Sequence, residues 1–467
     1  MPADNLIGKR FILLSLTWPI LIETFFRMLF GTVDTFMLSG YSGNAVAGVG
    51  AANQYISILV ILFQVVSAGS GIIISQCLGA KNYRKASEVT IVSLLFNLFF
   101  GLFISLVIFL SAGRLLGIMS FEKEIMDYAK EFLTIIGTFS FIQALSATFA
   151  ATLRSYGFVK YPMLVNICAN VLNVIGNLIF IYGLFGLPVL GVKGVAISTV
   201  SSQLFGLIVI AVIFIKKVGF QFTLKQVFEI PKETIKAVAR DILRIGGPSA
   251  GENLSYNMSQ IIITSIISLI GATAFTTRVY TFNLMFYIML FALAISQATQ
   301  ILVGHLVGAR RMDEAYKTCL RSLKISICIS FAVAIIFWLV SRSLLGIFTD
   351  NKEIISMGST LLAIAIVLEP GRAFNIVLGN CLKAAGDARF PFYMGISSVW
   401  AVAVGLSYIL GLKLGLGLIG VWIAFASDEW LRGIAMLLRW RSRVWEKEPA
   451  MSGFNEVELP EGQVIHS

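Results

Sequence analysis

Apolar residues run in long stretches broken by short polar connections, at 11–38, 48–78, 89–112, 129–153, 161–185, 191–215, 240–270, 273–304, 320–341, 355–383, 391–413 and 417–438. An α-helix needs about 20 residues to cross a bilayer, so the pattern predicts twelve membrane-spanning helices. The first stretch follows Lys9 and Arg10, as the core of a signal peptide would. It is too long for one and carries Glu23, Arg27 and Asp34, so it reads as a retained first helix.

Composition agrees. Of 467 residues, 57% are hydrophobic and 13% charged, with a mean hydropathy of +0.86; soluble domains carry roughly 45–50% apolar and about 25% charged residues. Little chain is left for an extramembrane catalytic domain. Five cysteines, Cys77, Cys168, Cys319, Cys328 and Cys381, fall in or beside apolar runs, in a number and spacing that fit neither a disulfide framework nor a metal site.

The net charge of +11 is sorted by connection. Connections following odd-numbered spans hold 8 Lys and Arg, whereas the termini and the other connections hold 25, among them Lys81, Arg84, Lys85, Arg154, Lys160, Arg310 and Lys383. Basic excess marks the cytoplasmic side. Both termini are therefore expected in the cytoplasm, which an even number of spans also requires. The long polar connection near the middle divides the chain into an N-lobe (1–215), a cytoplasmic inter-lobe linker (216–239), a C-lobe (240–438) and a cytoplasmic tail (439–467).

An internal repeat supports the division. A shift of 229 residues superposes Pro19 on Pro248, Glu23 on Glu252, Ser67 on Ser296, Gly79-Ala80 on Gly308-Ala309, Gly157 on Gly386 and Pro162 on Pro391, with Arg154 opposite Lys383. After a gap of three, Gly194-Val195 meets Gly420-Val421. Six spans per half return the chain to the same side. The expected fold is all-α, with two six-helix lobes related by a pseudo-two-fold axis along the membrane normal, the plan of transporters with a central cleft.

Three arginines, Arg27, Arg372 and Arg432, lie within spans, beside acids. A charge at the bilayer centre costs at least about 2.5–3.5 kcal/mol on insertion scales, so such residues face protein or water and are functional candidates. Glu23, Arg27 and Asp34, spaced by four and seven, share one helix face. Glu23 and Arg27 have ion-pair spacing. Asp34 has no basic residue within one turn; such a carboxylate can exchange a proton or coordinate sodium. Asn166, Asn170, Asn173 and Asn177 form one stripe on the fifth span, which reads as the wall of a wet cavity. In the second half the candidates are Glu252, Asn253, Asn257, Gln297, Gln300, Glu369, Arg372, Asn375 and Glu429. Glu369 with Arg372 and Asp428 with Arg432 have pairing distances in sequence, leaving Glu252 and Glu429 as the less compensated acids. Arg278 and His305 lie near span ends and read as interfacial. No HExxH, phosphate-binding glycine loop or paired-cysteine motif is present, and His305 and His466 offer no dyad. An enzyme is not expected, and transport must draw on an ion gradient.

The stretches PILIETFFRMLFGTVDTFMLSGYS (19–42), SQCLGAKNYRKA (75–86), LRSYGFVKYP (153–162), NVLNVIGNLIFIYGLFGLPVLGVKGVAIST (170–199), GPSAGEN (247–253) and LKAAGDARFP (382–391) resemble the multidrug and toxic compound extrusion (MATE) family. The resemblance spans nearly all of 8–440. It implies a V-shaped exporter exchanging a cytoplasmic organic solute for inward protons or sodium; an apolar and aromatic lining with a few acids suits amphipathic cations as that solute. It also implies an N-lobe cation site at Asp34, Asn173, Asn177 and Thr199, with no cofactor beyond the coupling ion and no metal except sodium. Some branches of the family carry Asp where this chain has Asn177, and Glu252 lies about one turn before the seventh-helix acid of some relatives. Partners expected are small-molecule substrates and membrane lipids, without nucleic acid, for a monomer in a bacterial or archaeal plasma membrane. A lipid-linked precursor flippase, an intramembrane transferase and a channel are the alternative readings.

Overall fold

The computed structural model describes residues 12–117, 121–186, 188–218 and 230–447. Lys9, Arg10, residues 219–229 of the predicted linker, and the tail beyond 447 with His466 lie outside the described residues. The first half forms α1 (Ile12–Ser39), α2 (Gly43–Gly79), α3 (Tyr83–Leu116), α4 (Lys123–Thr138), α5 (Ser140–Ser155), α6 (Lys160–Tyr182) and α7 (Gly191–Val218). The second forms α8 (Lys232–Ile270), α9 (Ala272–Gly308), α10 (Met312–Leu339), α11 (Ser341–Gly346), α12 (Lys352–Ala385), α13 (Arg389–Ser398) and α14 (Gly417–Arg441).

Among the described residues, nine helices are long and apolar enough to cross a membrane, and α4 with α5, bent by 50°, make a tenth. The remaining two crossings are α8, diluted by Asn253, Asn257 and Gln260, and α14, interrupted by Asp428, Glu429 and Arg432. The fourth span is thus two helices broken at Phe139, and the eleventh continues from α13 through π-helical turns at Val399–Val404 and Ser407–Lys413. Helices α7 and α8 extend from either side into the segment read as a linker.

Each half has its own packed interior. Phe63, Leu116, Leu133 and Ile142 lie in that of the first, and Leu361, Leu362, Val421 and Trp422 in that of the second. The repeat is visible in backbone geometry: Lys81 and Arg310, 229 apart, both adopt left-handed φ (58° and 56°) where α2 and α9 end. Pro19 and Pro248 sit inside α1 and α8 at equivalent positions.

The halves meet near one end of the molecule, the end that carries Lys81, Arg84, Arg310 and Arg311. A side chain at Gly79 would collide with the backbone of His305, and one at Gly308 with that of Gln76. Small residues let helix backbones approach this closely. Two hydrogen bonds cross the junction: Gln76 Nε2 donates to the Ala384 carbonyl (2.7 Å), and His305 Nε2 lies 2.7 Å from the Ser155 carbonyl. Gln76 and His305 are 229 apart, as are Ser155 and Ala384, so one contact is the repeat image of the other. His305 is therefore buried at the junction of the halves, not interfacial as its place near a span end implies. Leu16 and Ile20 pack on Ala294 and Ala298 in the same region. Further along α1, Gly31 and Thr35 are exposed toward the widening space between the halves.

Candidate functional site

A cavity of about 1320 Å³ lies between the two halves. Of the residues singled out in the sequence, Glu23, Arg27, Asp34, Asn170, Asn173, Thr199, Glu252, Asn253, Gln297, Gln300, Arg372, Asn375 and Glu429 line it. Asn177 lies just behind the wall and is fully buried. Glu369 is buried deeper, at 1% exposure. Asn257 is exposed and does not line this cavity; its amide donates to the Asn253 carbonyl on its own helix (2.8 Å).

In the N-terminal half, α1 brings Asp34 against α6. Asn177 Nδ2 donates to Asp34 Oδ1 at 2.8 Å. The Asn173 amide, oriented so that its donors and acceptors are both satisfied, donates to Asp34 Oδ1 and Oδ2 at 3.1 and 3.2 Å, and its oxygen lies 3.1 Å from Thr199 Oγ1 on α7. A side chain at Gly176 would overlap Ser198, so the glycine lets α6 and α7 close up and hold this geometry. The asparagine stripe divides: Asn170 donates to the backbone and side-chain oxygens of Asn166 (2.7 and 2.8 Å), while Asn173 and Asn177 turn to the carboxylate. Asn177 Oδ1 is buried without a hydrogen-bond partner. Both amides present N–H donors to the carboxylate, which suits a charged Asp34 or one that exchanges a proton; a sodium ion would need the amide oxygens of Asn173 and Asn177 turned toward it.

Arg27 Nη2 donates to Glu23 Oε1 at 2.9 Å, as the spacing predicts, and Arg154 Nη2 reaches the same oxygen at 2.5 Å. The sequence reading ends the fourth span at 153 and puts Arg154 in the connection. The break between α4 and α5 leaves α5 running along the cavity, so its last turn faces Glu23. The repeat image is Lys383 Nζ to Glu252 Oε2, 2.6 Å. Glu252 is thus compensated, and two bases assigned to connections belong to the cavity. The joint repetition of Glu23 with Arg154 and Glu252 with Lys383 at one offset is the signal that could have found them.

Deeper in the C-terminal half, Arg372 bridges Glu369 (2.7 Å) and Glu429 (3.3 Å). Arg432 bridges Asp428 (2.5 Å) and Glu429 (3.2 Å). Asn375 donates to Glu429 at 2.8 Å, and Ser398 to Asp428 at 2.5 Å. Glu429, expected to be poorly compensated, touches both arginines. Arg278 is half-buried and tied to the preceding helix: it donates to Thr264 Oγ1 (2.5 Å) and Gln260 Oε1 (3.1 Å). Helices α8 and α9 fold back at Gly271, which sets 278 against 264, each seven residues from the turn. Among the described residues no cluster of His, Cys, Asp and Glu is arranged to hold a metal.

The family model MatE matches residues 19–179 and 248–409, one match in each half. The uncharacterized transporter YisQ of Bacillus subtilis is 48% identical over 444 residues, covering 95% of this chain and 96% of the relative. A probable multidrug resistance protein NorM of Thermotoga maritima is 27% identical over 452 residues, covering 97% and 96%. A crystal structure of a MATE protein in a bent conformation superposes with a TM-score of 0.86 at 24% identity, over 95% of this chain and 98% of that one. At that identity it speaks for the fold: twelve helices in two lobes.

Proposed function

The chain belongs to the MATE family of membrane transporters, and from that premise we propose that it is a cation-coupled antiporter exporting organic, amphipathic cationic solutes by alternating access. A transporter of this family is an integral multi-pass membrane protein and not an enzyme. The observation that carries the proposal is Asp34: an acid on the cavity wall, held by Asn173 and Asn177, whose side-chain partners are all neutral. Such a carboxylate has the freedom to take up and release a monovalent cation. A proton would sit on Asp34; sodium would draw on Asp34, Asn173, Asn177 and Thr199. No other cofactor enters the scheme.

The bases at the closed end, Lys81, Arg84, Arg310 and Arg311, support assigning that end to the cytoplasm. In this arrangement the cavity faces outward, where solute leaves and the coupling ion enters. Ion binding at Asp34 rearranges α1 against α6, the basic end opens, and solute enters from the cytoplasm. We place the chain as a monomer in a bacterial plasma membrane with both termini inside. The test is drug accumulation in an efflux-deficient host. The wild type should lower intracellular drug, and Asp34→Asn, at equal membrane abundance, should lose most of that effect. Equal extrusion by both would remove Asp34 from the mechanism.

A further inference from the structure

Charges in the N-terminal half are unevenly shared. Glu23 carries two guanidiniums on a single oxygen, from Arg27 and Arg154, while Asp34 on the same helix has none. At the equivalent place in the C-terminal half Glu252 and Lys383 pair one to one, and the repeat partners of Arg27 and Asp34 are Tyr256 and Ile263. The N-terminal half thus differs by one added cation and one added acid on one helix stripe. The side chain of Arg27 is 57% exposed, against 22% for Arg154, so Arg27 is the guanidinium free to move.

We propose that Arg27 is a positioning residue that leaves Glu23 and pairs with Asp34 when Asp34 gives up its coupling ion, restoring one cation to each acid. The inference rests on the proposed coupling role of Asp34. The elements packed on α1 offer no substitute: Arg154 at the end of α5 is seated on Glu23 and less exposed than Arg27. Helix α2 carries no charged residue, α6 has only Lys160 at its start, and α9 has Arg278, tied to Thr264 and Gln260, and His305, buried at the basic end. Facing Asp34 directly are the neutral Asn173 and Asn177, with Thr199 beyond Asn173. Glu252, Lys383, Arg372, Glu429 and Arg432 stand on the opposite lobe and are mutually paired.

The path is open. Arg27, Gly31 and Asp34 succeed one another on the stripe at steps of four and three, and a side chain at Gly31 would meet nothing within 4 Å. Two turns separate the charges by about 10–11 Å along the axis. Side chains lean toward the helix N-terminus, so Asp34 leans toward Arg27, whereas Arg27 leans back to Glu23 and must swing its long side chain past Gly31 against that tendency.

The experiment uses the full chain in proteoliposomes, following dye movement driven by an imposed proton or sodium gradient. Wild-type exchange that is lost in Asp34→Asn verifies the coupling role itself; absence of that loss overturns the coupling role and this inference together. With it in place, Arg27→Gln should strengthen binding of the coupling ion, lowering its half-saturating concentration about 10- to 100-fold, or moving a proton midpoint about one to two pH units alkaline. Arg27→Lys should restore most of the wild-type value. Gly31→Leu, which keeps both charges but obstructs the turn, should reproduce the Arg27→Gln shift. A shift in Arg27→Gln without one in Gly31→Leu would mean a fixed field and overturn the swing, as would no shift in either. Should either variant misfold, a structure of the wild type at alkaline pH without sodium decides: Arg27 within 4 Å of Asp34 is expected, and Arg27 still on Glu23 overturns the proposal.

Discussion

A buried ion pair reveals itself most clearly when one partner is removed. Lys383 and Glu252 pair at 2.6 Å on the cavity wall with 13% and 21% of their side chains exposed, so Lys383→Met should leave a partly buried carboxylate uncompensated and cost about 1–3 kcal/mol. The measurement is the unfolding midpoint of the purified protein in detergent. Adding Glu252→Gln should recover most of the loss, because a neutral amide needs no counter-ion. Pairs along one helix were readable in advance: the spacings of Glu23 with Arg27, Glu369 with Arg372 and Asp428 with Arg432 all give ion pairs. Partners from other helices were not, since Arg154 reaches Glu23 across 131 positions of chain. Sequence spacing reports neighbours on a helix, and only the repeat hinted at neighbours between helices.

At the scale of the element, hydropathy located the crossings because a bilayer imposes one length on all of them. It missed the bend at Phe139, where apolar residues continue on both sides, and the π-helical turns after Ser398, where composition does not change. It also could not see that Gly79 and Gly308 are fixed by a backbone on the opposing half. Gly308→Leu should therefore prevent the basic end from closing. The check is a spin-label distance between Asn82 and Met312, expected to lengthen by several ångströms with no change in helix content, alongside loss of efflux. A variant at Gly50, where the space is empty, should close normally.

For the whole molecule, closure at the basic end depends on two hydrogen bonds that are images of each other, Gln76 to Ala384 and His305 to Ser155. Removing either by Gln76→Ala or His305→Ala should cost about 1 kcal/mol, shifting the closed population about fivefold. His305→Gln should close like the wild type, because glutamine already performs the same task at position 76. The same label pair reads both outcomes. Each half gives one of these bonds and receives the other, so neither could be shut by its own residues. Two copies of a single six-helix chain, facing one another, could have joined by the same reciprocal clasp; a shorter ancestor working as a pair would have needed no new interface when its gene doubled.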